Sequence, residues 1–291
     1  MSSALQALVE RCGGEMHGNY ALLPGPGHSR RDRSLSVTIG REGRVVFHSF
    51  AGDAFDAVRD YLGIEARPGA VPYDPSLQRK LMRIREKERQ QRDAEAVAFC
   101  GDVWRAATPA TDTLVERYLR ARKIPTPTPT VIRFHPAAPL DYQGNHLAPA
   151  MVAVVQDKSG EPCGLHVTAL APDGSDKAGP NARRMFGPVK GGAIRLGPAA
   201  DQLSVAEGIE TALSFAVLTG KPTWSCLSTA GLEAFEIPPG VEDLTIAADG
   251  DEPGMKSARA LAVRAQRQCN VILAPAPDGQ DWNDVLKGSA Q

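Results

Sequence analysis

Cysteines, aromatic residues and long apolar runs are all scarce in this chain of 291 residues. No two of the five cysteines lie closer than 43 residues, which excludes a CxxC metal knuckle and a compact disulfide framework. No apolar stretch approaches the roughly 18 residues of a membrane helix, and Glu10 interrupts the amino-terminal segment. We therefore expect a reduced, cytoplasmic protein that neither spans a membrane nor is secreted.

The net charge of −1 conceals a strong asymmetry along the chain. Residues 1–100 carry a net charge of +2 and residues 101–200 carry +4, whereas residues 201–291 carry −7. A basic body suggests a polyanionic partner, and an acidic end suggests either cation binding or a solvated surface. The length and the hydrophobic fraction of 42% are typical of a globular protein of two domains, or of one domain with an appendage.

The first third of the chain predicts a small β-rich module, at residues 1–65, followed by a linker and a basic helix at 66–110. Two β-type segments, SLSVTIG and RVVFHSF, flank a turn at 41–43, and Phe55–Leu62 has the spacing of an amphipathic helix. Three prolines and a glycine mark residues 66–75 as a linker. The helix predicted at 76–107 contains a run with seven basic and two acidic residues, at 79–92. A solvated connecting helix is the preferred interpretation of this run, and phosphate contact is the alternative.

The rest of the chain predicts an α+β subdomain at 111–200 and an α/β domain at 201–291. A short helix at Thr113–Ala121 precedes a hairpin formed by Met151–Gln156 and Cys163–Leu170. From Leu203 onward, apolar strands alternate with helices, a pattern typical of a parallel sheet with crossover connections.

Three acidic motifs follow strands of the predicted parallel sheet. They are Glu207-Gly208, Asp249-Gly250-Asp251 and the segment Asp281–Asp284. Taken singly, each could be a turn or a helix cap, but the carboxyl ends of parallel strands share one edge, where ligands bind. Clustered carboxylates repel one another unless a cation lies between them, and oxygen ligands without His or Cys favour Mg²⁺ or Mn²⁺. The two motif glycines are expected to let backbone and phosphate approach closely.

At these motifs the chain resembles a known family. VAEGIETALS, IAADGDEPG and QDWND are similar to the three acidic motifs of Toprim domains, the Rossmann-like catalytic fold of DnaG-type primases, type IA and II topoisomerases and some nucleases. The residues of these motifs are most similar to those of primase-like proteins of phages, plasmids and integrated elements. The resemblance implies that Glu207 acts near a 3′-hydroxyl, with Asp249 and Asp251 also catalytic. It further implies a metal site, with these ligands: Asp249, Asp251, Asp281 and Asp284.

The resemblance extends upstream more weakly. Residues 165–196 resemble the template- and nucleotide-binding stretch of such primases, with these candidate residues: Lys177, Arg183, Arg184 and Lys190. Taken alone, this stretch would be interpreted as a solvated basic loop. Because it precedes a predicted metal-binding edge of acidic residues, phosphate binding is the better interpretation. Residues 25–53 resemble a primase zinc module in which Gly25, Ser49 and Asp53 (or Gly52) replace the cysteines. Only His28 keeps its ligand type, so no zinc is expected.

The leading functional hypothesis is a primer synthase of a mobile element that uses single-stranded DNA, nucleoside triphosphates and two Mg²⁺ or Mn²⁺ ions. A separate replicative helicase is a candidate partner, since no Walker A motif is present. The alternatives are a Toprim nuclease and a noncatalytic single-stranded-DNA-binding replication accessory. A topoisomerase is disfavoured because all five tyrosines lie upstream of the acidic motifs and strand-gate domains are not expected in a chain of this length.

Overall fold

The computed structural model describes residues 3–40, 45–64 and 75–289. The chain divides into two compact units, Met1–Glu86 and Lys87–Gln291. The turn predicted at 41–43 and residues 66–74 of the predicted linker lie outside the described residues. Within the described ranges, no helix is both long and apolar enough to cross a membrane.

The first unit contains a small antiparallel sheet with its strands in sequence order. Leu35 and Val37 are fully buried while Ser36 between them is not, as an alternating strand pattern predicts. A helix that the sequence patterns did not predict supplies Leu5 and Leu8 to the same core. The elements are α1 (Ser3–Cys12), β1 (Glu15–His17), β2 (Tyr20–Leu23), β3 (Leu35–Ile39), β4 (Val45–Ser49) and α2 (Phe55–Tyr61).

A long helix, α3 (Pro75–Ala106), runs from the end of the first unit into the second. Its residues 82–92 are exposed, and Arg89 lies 3.9 Å from Asp93 one turn later. Both observations agree with the preferred interpretation of a solvated helix with i,i+4 ion pairs. The end of α3 is buried, where Cys100 and Val103 pack into an apolar core.

The second unit begins with a five-stranded antiparallel sheet whose strands also follow sequence order. Its central strand is apolar on both faces. Val152 packs in the core that contains the end of α3, and Met151 packs in a second core with the helix that lies between the first two strands of this sheet. The elements are β5 (Thr108–Pro109), α4 (Leu114–Ala121), β6 (Ile132–Pro139), β7 (Leu147–Gln156), β8 (Pro162–Ala169) and β9 (Arg183–Phe186).

Residues 202–289 form the predicted four-stranded parallel sheet with helices. The elements are β10 (Gln202–Ala206), α5 (Ile209–Thr219), β11 (Thr223–Ser225), α6 (Thr229–Ala234), β12 (Asp243–Ala248), α7 (Glu252–Ala265), β13 (Asn270–Pro275) and α8 (Trp282–Ser289). The strand order is β11-β10-β12-β13, so the chain moves outward from β10 in both directions. The reversal between β10 and β12 creates a crevice at their carboxyl ends, where such sheets bind ligands.

Candidate active site

The ends of β10 and β12 lie side by side at this crevice. The register pairs Ala206 with Ala247, so Glu207 and Asp249 leave neighbouring strands close to the reversal of strand order. On its other side, β12 pairs with β13, and the loop after β13 leads to Asp281. The three acidic motifs therefore meet at one edge of the sheet, as the strand pattern predicts.

Asp249 carries a strongly perturbed carboxyl group. Its Oδ1 atom is buried and has no hydrogen-bond partner. Burial is the main cause that raises the pKa of Asp249, to about 7. The negative charges of Glu207, Asp281 and Asp251 raise that pKa further, and a hydrogen bond with the Thr211 side chain opposes them. Glu207, Asp281 and Asp251 therefore lie within electrostatic reach of Asp249.

Glu207 has a raised pKa as well, again with burial as the main cause. The charge of Asp251 adds to the increase, while a hydrogen bond from the Thr229 backbone and the positive charge of Arg183 lower this pKa. A residue of the predicted basic stretch therefore lies within electrostatic reach of the predicted catalytic carboxylate.

Position 250 requires a glycine because the backbone of another loop lies against it. Its N–H donates to the Gln280 carbonyl at 2.8 Å, and a Cβ atom added at Gly250 would lie only 2.1 Å from the Pro277 carbonyl oxygen. The second acidic motif is thus packed against the loop that carries the third. A Cβ at Gly208 would meet only ordinary contacts at 3.5 Å and beyond. The close backbone approach expected at Gly250 is thus made by the Pro277 carbonyl.

Three of the motif aspartates also cap helices. The Asp251 side chain accepts a hydrogen bond of 2.7 Å from the Gly254 N–H at the start of α7. Asp281 accepts a bond of 2.8 Å from the Asp284 N–H, and Asp284 reaches back to the Asp281 N–H at 3.4 Å. Asp284 further lies 3.3 Å from the Lys287 ammonium. The capping interpretation of the third motif is therefore correct for its geometry, and Asp284 has the most protein partners of the predicted ligands.

The donor chemistry of this edge fits a divalent cation. The unpaired Asp249 Oδ1 and the mutual repulsion of Glu207, Asp249, Asp251 and Asp281 are both relieved by a positive charge at the edge. Within the described residues, however, no three His, Cys, Asp or Glu side chains are arranged to hold a metal ion together. The carboxylates are gathered but are not preassembled as a chelating set.

The structure separates the four predicted phosphate-binding residues. Arg183 and Arg184 are neighbours on β9, and adjacent residues of a strand point to opposite faces. Arg183 Nη2 lies 3.5 Å from Glu210 Oε2, whereas Arg184 Nη1 donates to the Arg183 carbonyl at 2.7 Å. Lys177 is half-buried, and burial is the main cause that lowers its pKa. Lys190 is exposed. Of the four, Arg183 acts electrostatically on Glu207 of the first acidic motif, whereas the carboxylate that acts on Lys177 most strongly is Glu210.

Two functional candidates escaped the sequence analysis. Glu210 is buried one turn beyond Glu207, and its only signal was an acidic residue in an otherwise apolar helix. Asn283 is buried within the third motif, where its Nδ2 atom donates to the Arg122 carbonyl at 2.8 Å and to Ser214 Oγ at 3.0 Å. Asn283 thereby ties the last helix to the end of α4.

In the amino-terminal unit, the residues that the sequence analysis compared with a primase zinc module form a hydrogen-bonded cluster. His28 Nε2 lies 3.2 Å from Asp53 Oδ1, and His28 Nδ1 lies 2.9 Å from Asp32 Oδ2. Ser49 Oγ donates to Asp53 Oδ2 at 2.8 Å. A Cβ atom at Gly25 would lie 2.6 Å from Asp53 Oδ2, so a carboxylate fills the space of a first ligand. This cluster does not fit zinc, because its carboxylates bind opposite sides of one imidazole.

We expect purified protein to contain substoichiometric zinc. A chelator should leave the amide protection of β2 and β3 unchanged, because a structural zinc ion would supply much of a small module's folding free energy. Elemental analysis and hydrogen exchange with and without chelator check this. One zinc ion per chain would contradict it.

The His28 cluster should make the stability of this unit depend on pH above about 6.5. The hydrogen bond with Asp32 is the main cause that raises the pKa of His28, with Asp53 contributing. The stabilisation is complete below the unfolded value of about 6.5 and is lost as pH rises through the higher folded value. Amide protection of β3, corrected for intrinsic exchange rates, should fall over that range. His28→Gln should abolish the fall and His17→Gln should not; a fall that persists in His28→Gln would refute the assignment.

Comparisons with known proteins agree with the parallel-sheet domain. Residues 202–290 match the Toprim domain family, and residues 94–196 match a domain of unknown function, DUF7146. No curated protein matches the chain.

Several solved primase structures are similar at low identity. A DNA primase domain from Pseudomonas aeruginosa is 14% identical over 61% of this chain and 56% of its own, with a TM-score of 0.37. A DnaG primase catalytic domain bound to ssDNA is 14% identical over 69% and 78%, with a TM-score of 0.47. The zinc-binding and RNA polymerase domains of the Aquifex aeolicus primase are 15% identical over 99% and 83%, with a TM-score of 0.46. The chain spans little more than half of the first of these. The four parallel strands, the acidic edge and the family match together identify residues 202–290 as a Toprim domain.

Proposed function

We propose that this protein synthesises short primers on single-stranded DNA from nucleoside triphosphates. The observation that carries the proposal is the meeting of Glu207, Asp249, Asp251 and Asp281 at the crevice of a Toprim domain, with Arg183 within electrostatic reach of Glu207. Nucleotidyl transfer needs cations for the phosphates, a proton acceptor for the attacking hydroxyl and positive charge near the strand. The three requirements have candidate groups within this one edge.

Asp249, Asp251 and Asp281 would hold the divalent cations, and Asp284 would support them through its cap on Asp281. Mg²⁺ or Mn²⁺ bound there would neutralise phosphate charge while a 3′-oxygen bonds to the α-phosphate and pyrophosphate leaves. The carboxylate of Glu207 accepts the proton of that hydroxyl, and its raised pKa makes it a better base than an exposed glutamate.

Arg183 supplies positive charge for a phosphate, because its side chain is 43% exposed and lies on the Glu207 side of the acidic edge. Such contacts hold a strand by its backbone and read little of its sequence. We assign the protein to replication of a mobile element in the cytoplasm, with a separate helicase opening the duplex.

The decisive experiment incubates the full chain with circular single-stranded DNA, Mg²⁺ or Mn²⁺ and labelled ribo- or deoxyribonucleoside triphosphates. New oligonucleotides that require both template and metal support the proposal. Template breakdown without synthesis would identify a Toprim nuclease instead. Binding of the template with neither product would identify a noncatalytic replication accessory.

A further inference from the structure

Glu210 is a buried carboxylate that the proposed chemistry does not use. It lies in the first turn of α5 and is only 6% exposed. Burial alone raises the pKa of such a group, yet the pKa of Glu210 is lowered, because Arg183 and then Tyr118 and Lys177 outweigh the burial. A charged carboxylate is kept at this depth only by its partners.

The two oxygens of Glu210 bind two different elements. The Tyr118 hydroxyl, on fully buried Tyr118 of α4, donates to Oε1. Arg183 Nη2, at the start of β9, donates to Oε2 at 3.5 Å. Glu210 thus fixes one side of the Arg183 guanidinium, while 43% of the Arg183 side chain remains exposed.

The surroundings of this pair carry an excess of positive charge. Three cations and two carboxylates gather here: Arg122, Lys177, Arg183, Glu210 and Asp176. Arg122 is paired with Asp176 at 2.5 Å, and Arg183 with Glu210. His166 is buried, and burial lowers its pKa to about 4, so it adds no charge at neutral pH. Lys177 is left as the surplus cation of the group.

We propose that Glu210 is a positioning residue that holds the Arg183 guanidinium within electrostatic reach of Glu207, where its exposed side receives a phosphate group. The inference rests on the proposed function, because the phosphate belongs either to the template strand or to the nucleoside triphosphate. A purely structural tie between α4 and α5 is the alternative.

A double-mutant cycle separates the two roles. Wild type, Glu210→Gln, Arg183→Ala and the double variant are compared for affinity to a labelled oligothymidylate at several salt concentrations, and for the kcat and KM of nucleotide addition. Gln keeps the size of Glu210 and an acceptor for Tyr118, but it loses the charge that holds Arg183. Arg183→Ala should weaken strand affinity about tenfold in wild type and reduce the salt slope by about 0.7. If this loss disappears in the Glu210→Gln background, the coupling between the two residues is also about tenfold, a size usual for residues in contact.

In the Glu210→Gln background, Arg183→Ala should change affinity and slope little, because the guanidinium no longer holds its position. Coupling seen only in the KM for nucleotide would assign the phosphate to the triphosphate. Equal losses from Arg183→Ala in both backgrounds, for every readout, would overturn the proposal. A lowered Tm in Glu210→Gln, together with losses of affinity that simply add in the double variant, would also overturn it and would indicate a purely structural role.

Two further variants serve as controls for the double-mutant cycle. Glu233→Gln removes an exposed carboxylate of α6 and should leave the full effect of Arg183→Ala. Tyr118→Phe removes one anchor of Glu210 without changing its charge and should give a weaker coupling in the same direction. If wild type binds the strand but makes no primer, primer synthesis fails as the function, while the affinity cycle still decides the role of Glu210.

Discussion

Glu207→Gln should reduce primer synthesis by about 10²- to 10⁴-fold, the range typical of a lost general acid or base. Gln has the size of Glu but accepts no proton at neutral pH. Strand affinity should not fall, because the substitution removes negative charge from the edge where the strand binds. The measurement compares initial rates of nucleotide addition with oligothymidylate affinity in the same preparations.

The fold is not expected to obscure this result. Burial and the nearby charge of Asp251 make the ionised form of Glu207 costly, so a neutral side chain should leave Tm unchanged or higher. Glu233→Gln, with the same chemical change at an exposed site of the domain, should keep the full rate. A Glu207→Gln protein that makes primers at the wild-type rate would exclude Glu207 as the base.

Replacing Asp249 and Asp251 together by Asn should have opposite effects on metal response and on metal-free stability. A ligand that binds only the folded state stabilises it by about 2.7 kcal/mol at a hundredfold excess over Kd. Wild-type Tm should therefore rise with Mn²⁺, and the double variant should lose this rise together with activity. Without metal, the double variant should melt at a higher temperature than wild type, because two repelling charges are gone.

Asn is chosen because Asp251 also caps α7, and Asn caps helices about as well as Asp. Alanine there would cost about 1 kcal/mol for the lost cap and would confuse the comparison. Asp201→Asn, at the exposed amino-terminal end of β10, should keep both the metal response and the wild-type Tm. An unchanged rise with Mn²⁺ in the Asp249–Asp251 variant would place the cation elsewhere.

The acidic edge could be predicted because its signals are local. Apolar strand residues, Leu203 and Ile246 among them, alternate with helical segments over short spans, and that pattern implies parallel strands whose carboxyl ends coincide. Glu207 and Asp249 each follow a strand directly, so the strand pattern places both at one edge. The capping roles of Asp281 and Asp251 are equally local, and the sequence left capping open as one interpretation of each motif.

The contacts that organise the site could not be predicted in this way. Tyr118 and Glu210 are 92 residues apart, and Glu210 and Arg183 are 27 apart, with no periodic pattern that relates them. The adjacent pair Arg183 and Arg184 looks like a single basic feature, yet the pleat of β9 turns their side chains apart. Sequence adjacency therefore overstated how many cations reach the acidic motifs.

By itself, the sequence determined the strand and helix order of the Toprim domain and the edge that carries Glu207 and Asp249. These features depend on periodicity and residue type, which act over a few neighbours. Only the tertiary structure decided that Glu210 pairs with Arg183, that the Pro277 carbonyl lies against Gly250, and that Asp53 contacts His28. Such partners depend on how distant segments pack, because a buried charge is stable only where folding brings a compensating group to it.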